Sequence, residues 1–121
     1  MTVEEMASRI IEFVDGYQPA SMVELVKHLG ADARGNLIFH MPERPNTVIW
    51  TDVSKTFVDA FMLARKEIFI DITNPMIYLM DGGTLPLPIA KKFNGPDYKK
   101  EHWVPVILSI KKTDALKEVA A

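Results

Sequence analysis

Cysteine is absent from this 121-residue chain. Its absence excludes disulfides, thiolate metal sites and cysteine nucleophiles, and it fits a reducing compartment. Long apolar runs are missing as well. None approaches the ~20 residues that a membrane-spanning helix needs. The first residues carry Glu4 and Glu5 where a secretory signal would carry Lys or Arg. The expectation is a cytoplasmic protein without membrane contact. A glycine-rich phosphate loop is also lacking, because Gly82-Gly83 runs into a proline-rich stretch instead of a helix. Histidine is scarce: His28, His40 and His102 are not spaced with one another, or with a carboxylate, as a metal pair would be. These absences lead to the expectation of no catalytic residues, no metal and no cofactor: the chain reads as a non-enzyme. A large excess of positive charge is absent too. The net charge of −2 excludes a protein that coats nucleic acid by charge alone.

What is present is enough for one compact core. Apolar residues make up 48% and charged residues 25%, so a chain of this length needs no disulfide or metal to fold. Val3, Met6, Ala7, Ile10, Phe13, Val14 and Tyr17 recur at helical spacing and predict an amphipathic first helix ended by Gly16 and Pro19. Ser21 and Glu24 form a capping-box pattern for a second helix over 21–29, with Met22, Leu25, Val26 and Leu29 on one face. Gly30 is placed to close it with a positive φ. Two apolar runs, 36–41 and 47–51, flank Pro42-Glu43-Arg44-Pro45-Asn46 and predict a β-hairpin with a proline-bounded loop. Trp50 ends its second strand and is expected in the core. Trp103 fits either a core or an interface role, and each histidine fits a structural one.

The stretch 53–80 carries the strongest pattern. Val53, Phe57, Ala60, Phe61, Ala64 and Ile68 follow helical spacing, so a third helix is predicted over 53–66, capped by Thr51 or Asp52. At Ile68 the period changes. Two short β-type runs, 68–72 and 76–80, are joined by Thr73-Asn74-Pro75, which predicts a second antiparallel hairpin. After it come a break at Asp81-Gly82-Gly83, the extended Leu85-Pro86-Leu87-Pro88 and a turn at Phe93-Asn94-Gly95-Pro96. One strand over 102–110 with Pro105 at an edge or bulge follows, and Thr113 is a candidate cap for a short terminal helix. The core is expected to join Ile10, Val14, Leu25, Leu29, Phe57 and Phe61.

The order helix, capped helix, hairpin, helix, hairpin resembles winged helix-turn-helix domains. The segment FVDAFMLARKEIFIDITNPMIYLM carries that likeness most clearly. The resemblance implies an α+β fold: a winged helix over 1–82 with an inserted β-hairpin, and a C-terminal strand-containing extension over 83–121 packed on the same domain. It further implies a regulator that reads duplex DNA with its third helix. Ser54, Lys55, Thr56, Met62, Arg65 and Lys66 would then face the nucleic acid, with Thr73 and Asn74 at the wing tip. Asp59 on the same face would repel phosphates. The alternative is a winged-helix module that docks another protein, or itself as a homodimer, without binding DNA. The sequence leaves both open. The lysine pairs at 91–92, 99–100 and 111–112 are the features to locate: beside Lys55 and Arg65 they favour DNA, elsewhere a protein partner.

Overall fold

The computed structural model describes residues 1–80, 82–92 and 95–111. Helix α1 (Val3–Gly16) starts where Thr2 Oγ1 accepts the Glu5 N–H and buries Met6, Ala7, Ile10 and Val14. Helix α2 (Met22–Leu29) has the complete capping box. Ser21 Oγ accepts the Glu24 N–H, and Glu24 Oε1 accepts the Ser21 N–H, each at 3.2 Å. Gly30 closes it at φ 77° and ψ −151°, a region that only glycine enters cheaply. Between these helices lies strand β1 (Ala20–Ser21), which was not expected.

The first hairpin is longer than its apolar runs suggested. Strands β2 (Arg34–Met41) and β3 (Arg44–Val53) leave only Pro42 and Glu43 as the turn. Arg44 is therefore a strand residue and is buried, not a loop residue. The pairing is irregular, with repeated register shifts along β2. At one shift β2 passes so close to the end of β3 that a Cβ on Gly35 would lie 2.6 Å from the Val53 carbonyl oxygen. Because β3 runs on to Val53, Thr51 and Asp52 cannot cap the third helix, and Asp52 sits at φ 55°. Ser54 is the cap instead: its Oγ accepts the Phe57 N–H at 3.1 Å and donates to the Asp32 carbonyl at 2.7 Å. Helix α3 (Lys55–Ala64) is correspondingly shorter than 53–66, and Arg65–Glu67 form a 3-10 turn.

The second hairpin does not form. Strand β4 (Ile68–Ile72) is present, but its expected partner is helix α4 (Met76–Met80). The local reason is at the junction. Asn74 Oδ1 accepts the Met76 N–H at 2.9 Å, and Pro75, which lacks a donor, starts the turn. The tertiary reason is Tyr78, fully buried, whose hydroxyl accepts the Met22 N–H at 2.9 Å and donates to the Val106 carbonyl at 2.6 Å.

The expected strand over 102–110 is two strands. Strand β5 (His102–Trp103) pairs in parallel with β3, whereas β6 (Val106–Ile110) pairs antiparallel with both β1 and β4. Pro105 lies at the crossover, where a missing N–H costs neither sheet a bond. The described residues thus form an α+β fold with four α-helices and two three-stranded sheets, ordered β1–β6–β4 and β2–β3–β5. The three longer helices and both sheets share one apolar core, in which Ile10, Val14, Leu25, Leu29, Phe57 and Phe61 are all buried as expected. Trp50, Tyr78 and Trp103 pack in it with ring centroids 5.1–6.2 Å apart, so Trp103 is a core residue. No helix among the described residues is long and apolar enough to cross a membrane. The expected turn residues Asp81, Phe93 and Asn94 and the expected cap Thr113 lie outside the described residues.

Candidate docking groove beside the third helix

The residues expected to face a ligand do not share one surface. Ser54 is committed to capping α3. Lys55 projects into solvent, but its Nζ lies 2.8 Å from Asp59 Oδ2, so one turn of the outer face is close to neutral. Thr56 is half-buried, and Lys66 is exposed in the 3-10 turn. Thr73 donates its N–H to the Pro105 carbonyl, and Asn74 caps α4. Met62 and Arg65 alone among the eight come together, on the wall of a groove of about 280 Å³.

Four segments build this groove. The end of α3 supplies Phe61, Met62 and Arg65. The hairpin supplies Phe39, Met41, Pro42 and Ile49. Strand β4 supplies Ile68, Phe69 and Ile70, and Lys111 follows β6. Phe39 is wedged edge-on between Phe57 and Phe61, at centroid distances of 6.2 and 5.2 Å, which holds the hairpin against α3. The lining is apolar apart from two cations, and it contains no carboxylate. Lys111 Nζ stands 5.3 Å from the centre of the Phe69 ring. Neither Arg65 nor Lys111 is in an ion pair among the described residues. The sequence reasoning missed the β-strand half of this groove. The two-residue period of a strand was the available signal: it puts Phe69 and Asp71 opposite the core-facing isoleucines, and Phe69 is 45% exposed.

A polar cluster lies just after the hairpin turn, at the start of β3. Buried Arg44 donates from Nε to Thr47 Oγ1 and from a terminal nitrogen to the Gly95 carbonyl. Asp97 accepts from the Asn46 N–H at 2.9 Å and from the Thr47 hydroxyl at 3.1 Å. Burial works to raise the Asp97 pKa. The backbone bonds at Asn46 and Tyr98, the Thr47 hydroxyl and the Arg44 charge outweigh it, and the carboxyl is held below its ordinary range. Tyr98 sits under Arg44 and stacks on His102 at 3.9 Å. These contacts clasp the 95–102 segment to the hairpin. Lys91, Lys92, Lys99 and Lys100 are exposed on the chain leading into β5, whereas α3 packs on β2, at the opposite edge of that sheet. Lys112 lies outside the described residues.

The histidines have local partners. His28 stacks on Phe13 at 4.4 Å, and Nδ1 of His40 and of His102 lies within 3 Å of the carbonyls of Met41 and Lys100. A second exposed apolar face is on α4, where Met76, Leu79 and Met80 are each more than half exposed. No protein-family description, curated protein or solved structure matches the chain, so its function has to be argued from this geometry.

Proposed function

We propose that this chain is a non-enzymatic winged-helix protein that docks another protein in the groove beside α3. The single observation that carries the docking reading is the groove itself: an apolar trough edged by two cations without counter-ions among the described residues. Its volume of about 280 Å³ is at the lower limit for small-molecule pockets, about 300–1,000 Å³. A few side chains of a protein partner suit it better than a metabolite. The winged-helix part rests on connectivity. Helix α1, strand β1, helix α2, helix α3, strand β4 and strand β6 occur in this order, with the β2–β3 hairpin inserted between α2 and α3, and the sheet order is β1–β6–β4. In this reading β4 and β6 are the wing strands, and the chain from Thr73 to Pro105, with α4 and β5 in it, replaces the short wing tip.

Duplex DNA is the second reading, because the same connectivity gives α3 the place of a recognition helix. Lys55 and Lys66 are its exposed cations. The Lys55–Asp59 pair, the exposed Leu63 and the distance of Lys91, Lys92, Lys99 and Lys100 weigh against it, and Lys111 beside Arg65 weighs for it. A titration with random-sequence duplex at low and at physiological salt separates the two. Docking without DNA predicts no binding at either. Binding that falls steeply with salt, and that Lys55→Ala and Lys66→Ala weaken, would replace the docking proposal with DNA recognition. The positive test is a purified partner whose affinity drops about tenfold or more on Met62→Asp, a change at a half-buried groove residue.

A further inference from the structure

We infer that the groove receives an extended, acidic segment of its partner as an added strand on the free edge of β4. This rests on the docking proposal and specifies its ligand. The bonding pattern of β4 is the first observation. Lys111 donates its N–H to the Glu67 carbonyl and Thr73 donates to the Pro105 carbonyl, at 3.0 and 2.9 Å. In an antiparallel pair such bonds recur at every second residue. Residues 67, 69, 71 and 73 therefore face β6, and residues 68, 70 and 72 turn their N–H and C=O groups away from it. Among the described residues, β4 is the last strand of its sheet. The Ile68 N–H is taken by the Arg65 carbonyl. The Ile70 N–H and C=O have no backbone partner among the described residues, and Ile70 lines the groove.

That edge limits what can occupy the groove. A ligand that fills it removes water from the Ile70 amide and carbonyl, and a buried peptide group left without a bond is costly. A helix satisfies its own backbone and would leave Ile70 unpaired. An extended segment, lying about 4.8 Å from β4, supplies the missing acceptor and donor and sends alternate side chains toward Phe61 and Met62. Arg65 and Lys111, in no ion pair among the described residues, set the charge: an Asp or Glu in the segment meets them, and a Lys or Arg is repelled. With outward groups only at 68, 70 and 72, the edge suits a strand of about five residues.

The test selects a displayed library of random octapeptides on the wild-type protein and on Met62→Asp. The expected winners alternate apolar residues and carry at least one Asp or Glu. Synthetic versions are then N-methylated one position at a time. Methylation at every second residue is expected to weaken binding about tenfold or more, with the intervening positions neutral, because only alternate amides bond to β4. Exchange of the Ile70 amide should slow on binding. Arg65→Glu should transfer preference to Lys- or Arg-containing peptides. Ile70→Pro removes the outward N–H together with the Ile70 side chain, leaves the β4–β6 bonds in place, and should abolish binding. If that variant misfolds, the methylated peptides in wild-type protein still decide. Selected peptides that depend on Met62 but ignore methylation would overturn strand addition and leave the docking groove standing. No enrichment over Met62→Asp would overturn both. A dimer in sedimentation that Ile70→Pro dissociates would overturn the acidic segment in favour of a second copy of this chain.

Discussion

Tyr78 joins three parts of the molecule through one oxygen. Its hydroxyl accepts the N–H of the first residue of α2 and donates a hydrogen bond to the Val106 carbonyl of β6, while the ring packs tilted against Trp50 and edge-on against Trp103. Tyr78→Phe keeps the ring and leaves a buried carbonyl and a helix N-terminal N–H unpaired. The expected loss is about 1–3 kcal/mol in urea denaturation; a loss below a few tenths would show that the hydroxyl bonds are not made in solution. Asp97 offers a pH-dependent case. Its carboxyl is held below the ordinary range in the folded protein, so the folded state binds its proton less readily than the unfolded state does. Its stabilisation is therefore complete above the unfolded pKa of about 3.9 and is lost as pH falls through the lower, folded value. The urea midpoint of Asp97→Asn should lie below that of wild type at neutral pH, and the gap should narrow below pH about 4. A gap constant over that range would remove the charge from the account.

At the scale of elements, α3 shows how one side chain sets a boundary. Strand β3 runs to Val53, and the helix begins only when Ser54 turns its hydroxyl onto the Phe57 N–H. That hydroxyl also donates to the Asp32 carbonyl, tying the start of α3 to the 3-10 turn after α2. Ser54→Ala should cost about 0.5–2 kcal/mol by chemical denaturation. Amide exchange should quicken first in the opening turn of α3; uniform loosening of the whole helix would point away from the cap. Helix α4 is the opposite case. Five residues make a helix too short to persist alone, and its Met76, Leu79 and Met80 are exposed. Burial of Tyr78 and the Asn74 cap hold it.

At the scale of the whole molecule, the shortest of the chain's crossings between the two sheets is a single residue pair. Val104 and Pro105 carry the chain from β5 in one sheet to β6 in the centre of the other, and both are buried. Trp50 and Trp103 report on the sheet that holds the hairpin, while the far-ultraviolet signal comes mainly from α1, α2 and α3. Because one core joins them, tryptophan fluorescence and circular dichroism should trace a single denaturation curve with one midpoint. Separate midpoints would make the hairpin sheet an independent unit and would disqualify single-transition analysis of every variant above.

Local sequence was sufficient for α1, for the capping box of α2, for Gly30 and for the six core residues, because each depends on neighbours within about four positions. It was sufficient for the presence of β4 as a strand but not for its partner. A strand's partner is chosen by packing across the fold. Met76–Met80 and Val106–Ile110 are both short apolar runs, and nothing within either distinguishes the one that pairs. Tertiary structure decided in favour of β6: the helical 76–80 buries Tyr78, and its hydroxyl reaches Val106. The same choice made the groove. Met62 and Arg65 were legible as outer-face residues of a helix. Their meeting with Phe39, Phe69 and Lys111 required four segments distant in the chain to converge, and helical or strand periodicity carries no information at that range.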